Sequence, residues 1–164
     1  MICLDTMILI WGLQRKAAPN YQHLVDRTQR YLRSLDEENE TIMIPSPVVA
    51  EYLQGFDATG RTKQIAGLQR LFFIPSFDLP SAALTAELIE NADVDKLRKN
   101  SEESRPALKV DVQIAAIAIV HGATRIVTHN ISDFKNIVGG RTQVTEVPNI
   151  AEPGKLFDNS SEKG

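Results

Sequence analysis

The chain contains one cysteine in 164 residues, which excludes an intrachain disulfide and a zinc site built from thiolates. It has no apolar segment long enough to span a membrane, and its N-terminus has neither a basic leader nor a cleavage site. We therefore expect a cytoplasmic protein. The formal net charge of -3 excludes a uniformly basic surface for nucleic acid, but it is compatible with a local basic rim around an acidic centre.

The composition is that of a globular domain, with 43% hydrophobic and 24% charged residues in a chain long enough for one substantial core. Predicted strands lie at residues 2–4, 41–45, 72–77, 125–128 and 143–147. Predicted helices lie at residues 7–13, 21–36, 48–54, 61–71, 80–99 and 108–120, with a short helix from Asp133. Asn20 and Ser46 are predicted N-caps, residues 100–106 a polar loop, and residues 151–164 a polar C-terminal tail. The alternation of strands and helices predicts one domain over residues 1–150, a three-layer α/β/α sandwich around a mainly parallel central sheet.

Residues 2–4 form an apolar run that leads directly into Asp5. A continuous apolar run without polar alternation indicates a strand that is buried on both faces. Asp5 would then lie at the carboxyl end of a central strand, where open α/β sheets bind their ligands. For Asp5 alone, however, the preferred interpretation is that it caps the following helix.

Asp111 is the most informative acidic residue, because it interrupts the most apolar predicted helix. Its neighbours three and four positions away include Leu108, Ile114 and Ala115, so its carboxylate lies on an apolar face. Such a carboxylate is costly to desolvate unless it is paired or binds a metal ion. A structural salt bridge is an equally good explanation for Asp111 considered alone.

Glu51 and Asp133 carry weaker signals of the same kind. Glu51 could simply be exposed, and Asp133 could cap a short helix in competition with Asn130 or Ser132. Their positions along the chain are more informative, because Asp5, Glu51 and Asp133 each follow a predicted strand.

Asp111 lies near the start of a helix, and in a parallel sheet all four positions converge at one edge. Several carboxylates cannot all ionise at close range without cations. Oxygen ligands, in a chain without an HExxH motif, favour Mg²⁺ or Mn²⁺ and indicate phosphoryl chemistry.

Four short segments resemble the motifs of PIN-domain ribonucleases in their correct order, and most closely those of the VapC-type toxins of toxin–antitoxin systems. They are residues 4–6, 49–53, 109–116 and 127–134, and the resemblance extends over residues 1–148. It implies that Asp5, Glu51, Asp111 and Asp133 bind the divalent metal, that Thr6 and Thr128 supply supporting hydroxyl groups, and that Asn130 shapes the turn. One departure is Met7, where many members have Asn or Ser; it removes one polar contact next to the metal site.

The sequence and the resemblance together predict a Mg²⁺- or Mn²⁺-dependent endoribonuclease, with an RNA substrate, a homodimeric assembly and a small antitoxin as partner. One alternative is a non-catalytic PIN module that binds RNA or protein, and the presence of all four acids argues against it. The other is a metal-dependent phosphohydrolase acting on a small phosphate ester. The absence of a glycine-rich phosphate loop and of an Asp-x-Asp start argues against that alternative.

Several further residues are interpreted without a functional role. His129 is interpreted as a partly exposed spectator, and the arginine stripe of the second helix as a solvated face. Trp11, Tyr21 and Tyr31 are expected in the core or at a subunit contact, and the apolar surplus of Met7, Ile10, Trp11 and Leu13 supports an interface. Candidate RNA contacts, none of them assigned a role, are Arg15, Lys16, Arg61, Lys63 and Arg105.

Overall fold

In a computed structural model of the protein, the structure is described for residues 1–91 and 105–150. Its centre is a four-stranded sheet of order β2-β1-β3-β4, in which every neighbouring pair is parallel. The strands are β1 (Ile2–Leu4), β2 (Ile42–Met43), β3 (Arg125–Val127) and β4 (Gln143–Thr145). All three residues of β1 are buried, as expected for a strand that is covered by helices on both faces. The predicted α/β class and parallel sheet are confirmed.

Seven α-helices of the described residues connect and cover these strands. They are α1 (Thr6–Leu9), α2 (Gln22–Glu37), α3 (Ser46–Leu53), α4 (Ala58–Leu71), α5 (Leu79–Asn91), α6 (Arg105–Val120) and α7 (Ile131–Val138). A π-helical turn, Ile10–Gln14, continues α1, and a single 3₁₀ turn, Pro19–Tyr21, precedes α2. Within these residues, no helix combines the length and the apolar character needed to cross a membrane.

The predicted strand at residues 72–77 is wrong. Only Phe73 pairs, through one isolated parallel bridge to Met43. Its N–H donates to the carbonyl of Ile42 at 2.9 Å, and its carbonyl accepts from the N–H of Ile44 at 2.9 Å. The carbonyl of Pro75 accepts one further bond of 3.0 Å from the N–H of Ser46, but Pro75 has no N–H to complete a second bridge. The segment is therefore bonded to the sheet without forming a strand.

Both predicted N-caps are also wrong. Asn20 lies inside the 3₁₀ turn, and α2 starts from Tyr21 without a side-chain cap. Ser46 is the first residue of α3, and Pro45 holds the cap position. Helix α6 begins at Arg105, so the end of the predicted loop at 100–106 is helical. The rest of that loop, the end of the predicted helix at 80–99 and the tail at 151–164 lie outside the described residues.

The core lies between β1, β3 and α6. Residues 114–118 of α6 are completely buried, which explains why this helix is the most apolar of the chain. Trp11 is 1% exposed and Cys3 is fully buried, as predicted for Cys3, and this burial raises the pKa of its thiol. The first crossover leads from β1 outward to β2, whereas the later one leads from β3 outward to β4. The carboxyl ends of β1 and β3 therefore border the crevice at which the strand order reverses, the usual position of a ligand site in such sheets.

Candidate functional site at the carboxyl edge of the sheet

Asp5 is the most deeply buried of the four candidate acids, with a relative exposure of 7%. It directly follows β1 and caps α1, since its Oδ1 accepts a hydrogen bond of 2.7 Å from the N–H of Thr6. Its Oδ2 accepts a second bond of 2.7 Å from the hydroxyl of Thr128, which follows β3. The capping interpretation and the sheet-edge interpretation are therefore both correct. The two bonds fix the orientation of the carboxylate and leave it further lone pairs for another partner.

Glu51 is joined to Asp5 through Thr6. The Thr6 hydroxyl donates to Oε2 of Glu51, while the N–H of the same residue donates to Asp5. Helix α3 carries Glu51 in its second turn and packs against α1, which brings the two acids to the same edge. This bond is compatible with the supporting role that the resemblance implies for the Thr6 hydroxyl, and that role stays a prediction.

Asn130 connects the other two acids. Its side-chain amide donates to Oδ2 of Asp133 at 2.9 Å and to Oδ2 of Asp111 at 3.3 Å. Its backbone N–H donates to the hydroxyl of Thr128 at 3.0 Å, which holds the turn after β3 against the Asp5 carboxylate. The shaping of this turn therefore involves both the backbone and the side chain of Asn130.

The electrostatics show that the four acids form one group. The pKa of Asp111 is raised to about 7, by desolvation first and then by the nearby charges of Asp5, Glu51 and Asp133, against a smaller opposing effect of the Asn130 hydrogen bond. Burial also raises the pKa of Asp5, opposed by its bonds from Thr128 and Thr6. In the described part of the chain, no lysine or arginine forms a salt bridge with any of the four. Within the described residues, the negative charge of the cluster is therefore balanced by no lysine or arginine ion pair.

The chemistry of this donor set fits a hard divalent cation, which prefers carboxylate and other oxygen ligands. In residues 1–91 and 105–150, however, no three acidic, histidine or cysteine side chains stand in an arrangement that would hold a metal ion as it is. Hydrogen bonds from Thr6 and Asn130 occupy oxygen atoms of Glu51, Asp111 and Asp133 instead. Metal binding would require these side chains to rotate, so the metal role of the four acids stays a prediction.

The aromatic residues differ in their burial. Trp11 and Tyr31 are buried, as predicted, and Tyr21 is half-buried. The exposed ring of His129 meets Trp11 edge-on at a centroid distance of 5.3 Å and Tyr21 at 5.1 Å. His129 also lowers the pKa of Asp5 through its charge. It is thus held in place beside the acids, and its interpretation as a partly exposed spectator stays a prediction.

The basic side chains also differ from one another in their solvent exposure. Arg15, Lys16, Arg61 and Lys63 are all exposed, and the side chain of Arg105 lies outside the description. In the arginine stripe of α2, Arg33 is exposed as predicted, but Arg27 and Arg30 are half-buried. Arg27 contributes to a small cleft that also includes Thr128 and His129. No local pattern could have revealed this, because Thr128 and His129 follow a strand about a hundred positions later in the chain.

Solved structures share this architecture. A chain of VapBC2 from Rickettsia felis, bound to a DNA fragment from its promoter, superimposes with a TM-score of 0.63 at 23% identity, covering 89% of this chain and 98% of that one. A toxin–antitoxin complex from Klebsiella pneumoniae gives a TM-score of 0.59 at 19% identity, covering 92% and 100%. VapBC-1 from nontypeable Haemophilus influenzae gives 0.60 at 18% identity, covering 89% and 98%.

The fold is PIN-like, as in VapC-type proteins. This confirms the fold that the four sequence motifs imply. No protein-family model matches the sequence, and no curated protein sequence matches it either. At 18–23% identity, the likeness to the VapBC structures is one of fold, and the function has to be argued from the site.

Proposed function

We propose that this chain is a Mg²⁺- or Mn²⁺-dependent endoribonuclease and the toxin of a toxin–antitoxin pair. The observation that carries the proposal is the coupling of four carboxylates around Asp111 at the switch point of a parallel sheet, without a lysine or arginine ion-pair partner in the described residues. An acidic cluster that served only stability would be paired, because unpaired buried carboxylates destabilise the folded chain. Uncompensated charge at a ligand-binding edge favours a cation that is bound during function.

Asp5, Glu51 and Asp111 would hold the metal directly or through water, and Asp133 would complete a second metal position. Bound metal supplies an activated water for attack on the phosphodiester and stabilises the charge that develops on phosphorus-bound oxygens. The protein's own contribution is orientation. Thr128 fixes the Asp5 carboxylate from β3, and the backbone N–H of Thr6 fixes it from α1.

The proposal extends to organisation and partners. Residues 1–150 would form one nuclease domain in a cytoplasmic protein, with residues 151–164 as a tail. The structural neighbours include a toxin–antitoxin complex from Klebsiella pneumoniae and two VapBC proteins, which supports a small antitoxin as the partner of this chain. A basic side chain of that antitoxin could pair with the carboxylates and compete with the metal.

Exposed apolar residues near the first helices support the binding of a partner protein or a second copy. Leu13 is 37% exposed, Met7 is 40% exposed and Leu71 is 61% exposed. Leu13 and Leu71 line a groove of ≈ 480 Å³ together with Leu32. Trp11 is buried in the core, so the prediction that it belongs to an interface is wrong for this residue.

The nuclease proposal is tested by incubating the purified chain with single-stranded RNA in Mg²⁺, in Mn²⁺ and in EDTA. We expect endonucleolytic products with either metal and none in EDTA or with Glu51→Gln. Asp26→Asn is the matched control, because Asp26 is an exposed acid on α2, and it should cleave like the wild type. A folded wild type that binds RNA or protein but cleaves nothing in either metal would instead support the non-catalytic module.

The toxin proposal is tested by expression in a bacterial host. Growth arrest should require Asp5 and should be reversed by co-expression of the adjacent small gene. Harmless expression of a chain that cleaves RNA in vitro would contradict the toxin role and leave a housekeeping nuclease.

A further inference from the structure

A small cleft lies next to the carboxylate cluster, on the side of Thr128. Its lining residues are Ile8, Trp11, Leu24, Arg27, Thr128, His129, Glu146 and Val147. Its volume of ≈ 10 Å³ is enough for about one water molecule, so no base can enter it. What it offers to a ligand is therefore the charge and hydrogen-bonding capacity at its opening.

Arg27 provides that charge. Its side chain is half-buried, and its Nε is shielded from solvent without a hydrogen-bond partner in the part of the chain that the structure describes. Glu146 lines the same cleft and is exposed, but no salt bridge joins it to Arg27. A guanidinium group that forms no salt bridge with a described acid suits a phosphate, which accepts charge-assisted hydrogen bonds from it.

His129 also lines the cleft. Its ring packs edge-on against both Trp11 and Tyr21, whose own ring centroids are 6.1 Å apart. Since Tyr21 immediately precedes α2, these contacts hold the turn that carries His129 near the start of α2. The same turn carries Thr128, whose hydroxyl bonds to Asp5. Arg27 lines the same cleft as Thr128, which places it on the Asp5 side of the acidic cluster.

An RNA strand that places one phosphate at the acids carries another phosphate one nucleotide away. We propose that Arg27, with His129 beside it, binds the backbone phosphate adjacent to the one that is cleaved, and so positions single-stranded RNA on the catalytic edge. This inference rests on the proposed ribonuclease function. Arg27 is a positioning residue in this scheme, because it contacts the substrate away from the reacting phosphorus.

The test measures binding of a short fluorescein-labelled single-stranded RNA by anisotropy, in Mg²⁺ and in the cleavage-deficient Asp111→Asn background. We expect Arg27→Gln to weaken binding about tenfold. The slope of log K against log salt should become shallower by about 0.7, the value for one phosphate contact to a single strand. Arg30→Gln is the matched control, since Arg30 is equally half-buried on α2 but lies one turn further from the carboxyl edge. It should leave both quantities unchanged.

A second measurement locates the contact. A series of RNAs, each with one phosphate replaced by an uncharged methylphosphonate, is bound to the protein with Arg27 intact and to the Arg27→Gln variant. At one position, next to the cleavage site, the methylphosphonate should cause no further loss of RNA affinity in Arg27→Gln. At all other positions, the loss of affinity from the methylphosphonate should add to the loss from Arg27→Gln. Additive losses at every position, or equal effects of Arg27→Gln and Arg30→Gln, would overturn the inference. If the wild type cleaves RNA while Arg27→Gln binds normally, the ribonuclease proposal stands and this one fails; a wild type that neither binds nor cleaves RNA overturns both.

Discussion

Replacement of Asp111 by asparagine should stabilise the metal-free protein, and this stabilisation should depend on pH. The pKa of Asp111 is raised from its ordinary value of 3.8 to about 7, by desolvation first and then by the charges of Asp5, Glu51 and Asp133. A difference of about three pKa units corresponds to about 4 kcal/mol of unfavourable free energy for the ionised side chain. Solvent screening at this partly exposed site reduces the value, so we expect a gain of about 1–3 kcal/mol from Asp111→Asn.

The sign follows from proton linkage. Between pH 3.8 and about 7 the folded state holds a proton on Asp111 that the unfolded chain has already lost. The contribution of Asp111 to stability therefore falls as pH rises through this window, and it is most unfavourable above the folded pKa. The amide that replaces the carboxyl group in Asp111→Asn cannot ionise, whereas it can still accept the hydrogen bond from Asn130. The difference between variant and wild type should be small near pH 4 and should reach its full size by about pH 8.

Urea unfolding of the two proteins in EDTA, at a series of pH values, measures this difference. Asp26→Asn is the control for the substitution itself, since this exposed acid should change the free energy of unfolding by less than about 0.5 kcal/mol at any pH. If Asp111→Asn is as stable as the wild type, or less stable, at pH 8, Asp111 is not the repelled member of an acidic cluster. A gain that is independent of pH would contradict the electrostatic cause.

Three further results are expected. Mn²⁺ should raise the thermal stability of the wild type, by about 2.7 kcal/mol at a hundred times its dissociation constant, and Asp5→Asn should largely remove this shift; coincident melting curves of the wild type with and without Mn²⁺ would contradict a metal site of useful affinity. Thr128→Val should lower the free energy of unfolding by about 1–3 kcal/mol, because the Asp5 carboxylate and the N–H of Asn130 both lose the Thr128 hydroxyl as their hydrogen-bond partner. Thr124→Val, which removes an exposed hydroxyl bond to Met1, should cost much less in the same urea titration. Light scattering should give the mass of a homodimer at concentrations on the order of tens of micromolar, and a monomer under these conditions would contradict the predicted assembly.

The residues of the site that follow strands were predictable because their signals are local. The apolar run before Asp5 identifies a buried strand, and a strand end in a parallel sheet identifies an edge. Asp111 was predictable for a similar reason, since the helical period of α6 places this carboxylate on the apolar face of the helix. The contacts that join these acids were not predictable from spacing. The bond of Thr6 to Glu51 depends on how α3 packs on α1, and the bond of Thr128 to Asp5 depends on the pairing of β1 with β3.

The errors have the same physical origin. Residues 72–77 have the composition of a strand, but β2 offers only two residues to pair with and Pro75 removes a donor. The period of α2 places Arg27 on its polar face, which predicts exposure. Its actual surroundings come from His129 and Glu146, which reach it through the tertiary fold. A helical period describes how the sides of one helix differ, and it says nothing about which distant segments cover them.

Cleavage of RNA by the wild type and by Asp111→Asn, with the chemical ends of the products identified, tests the central claim most directly. We predict that the wild type cleaves only with a divalent metal and leaves no 2′,3′-cyclic phosphate, because water rather than the neighbouring 2′-hydroxyl attacks phosphorus. We also predict that Asp111→Asn is folded, more stable than the wild type at pH 8 and inactive. Cyclic phosphate ends, cleavage in EDTA, or wild-type cleavage by the folded Asp111→Asn protein would contradict a metal-dependent site formed by these four acids.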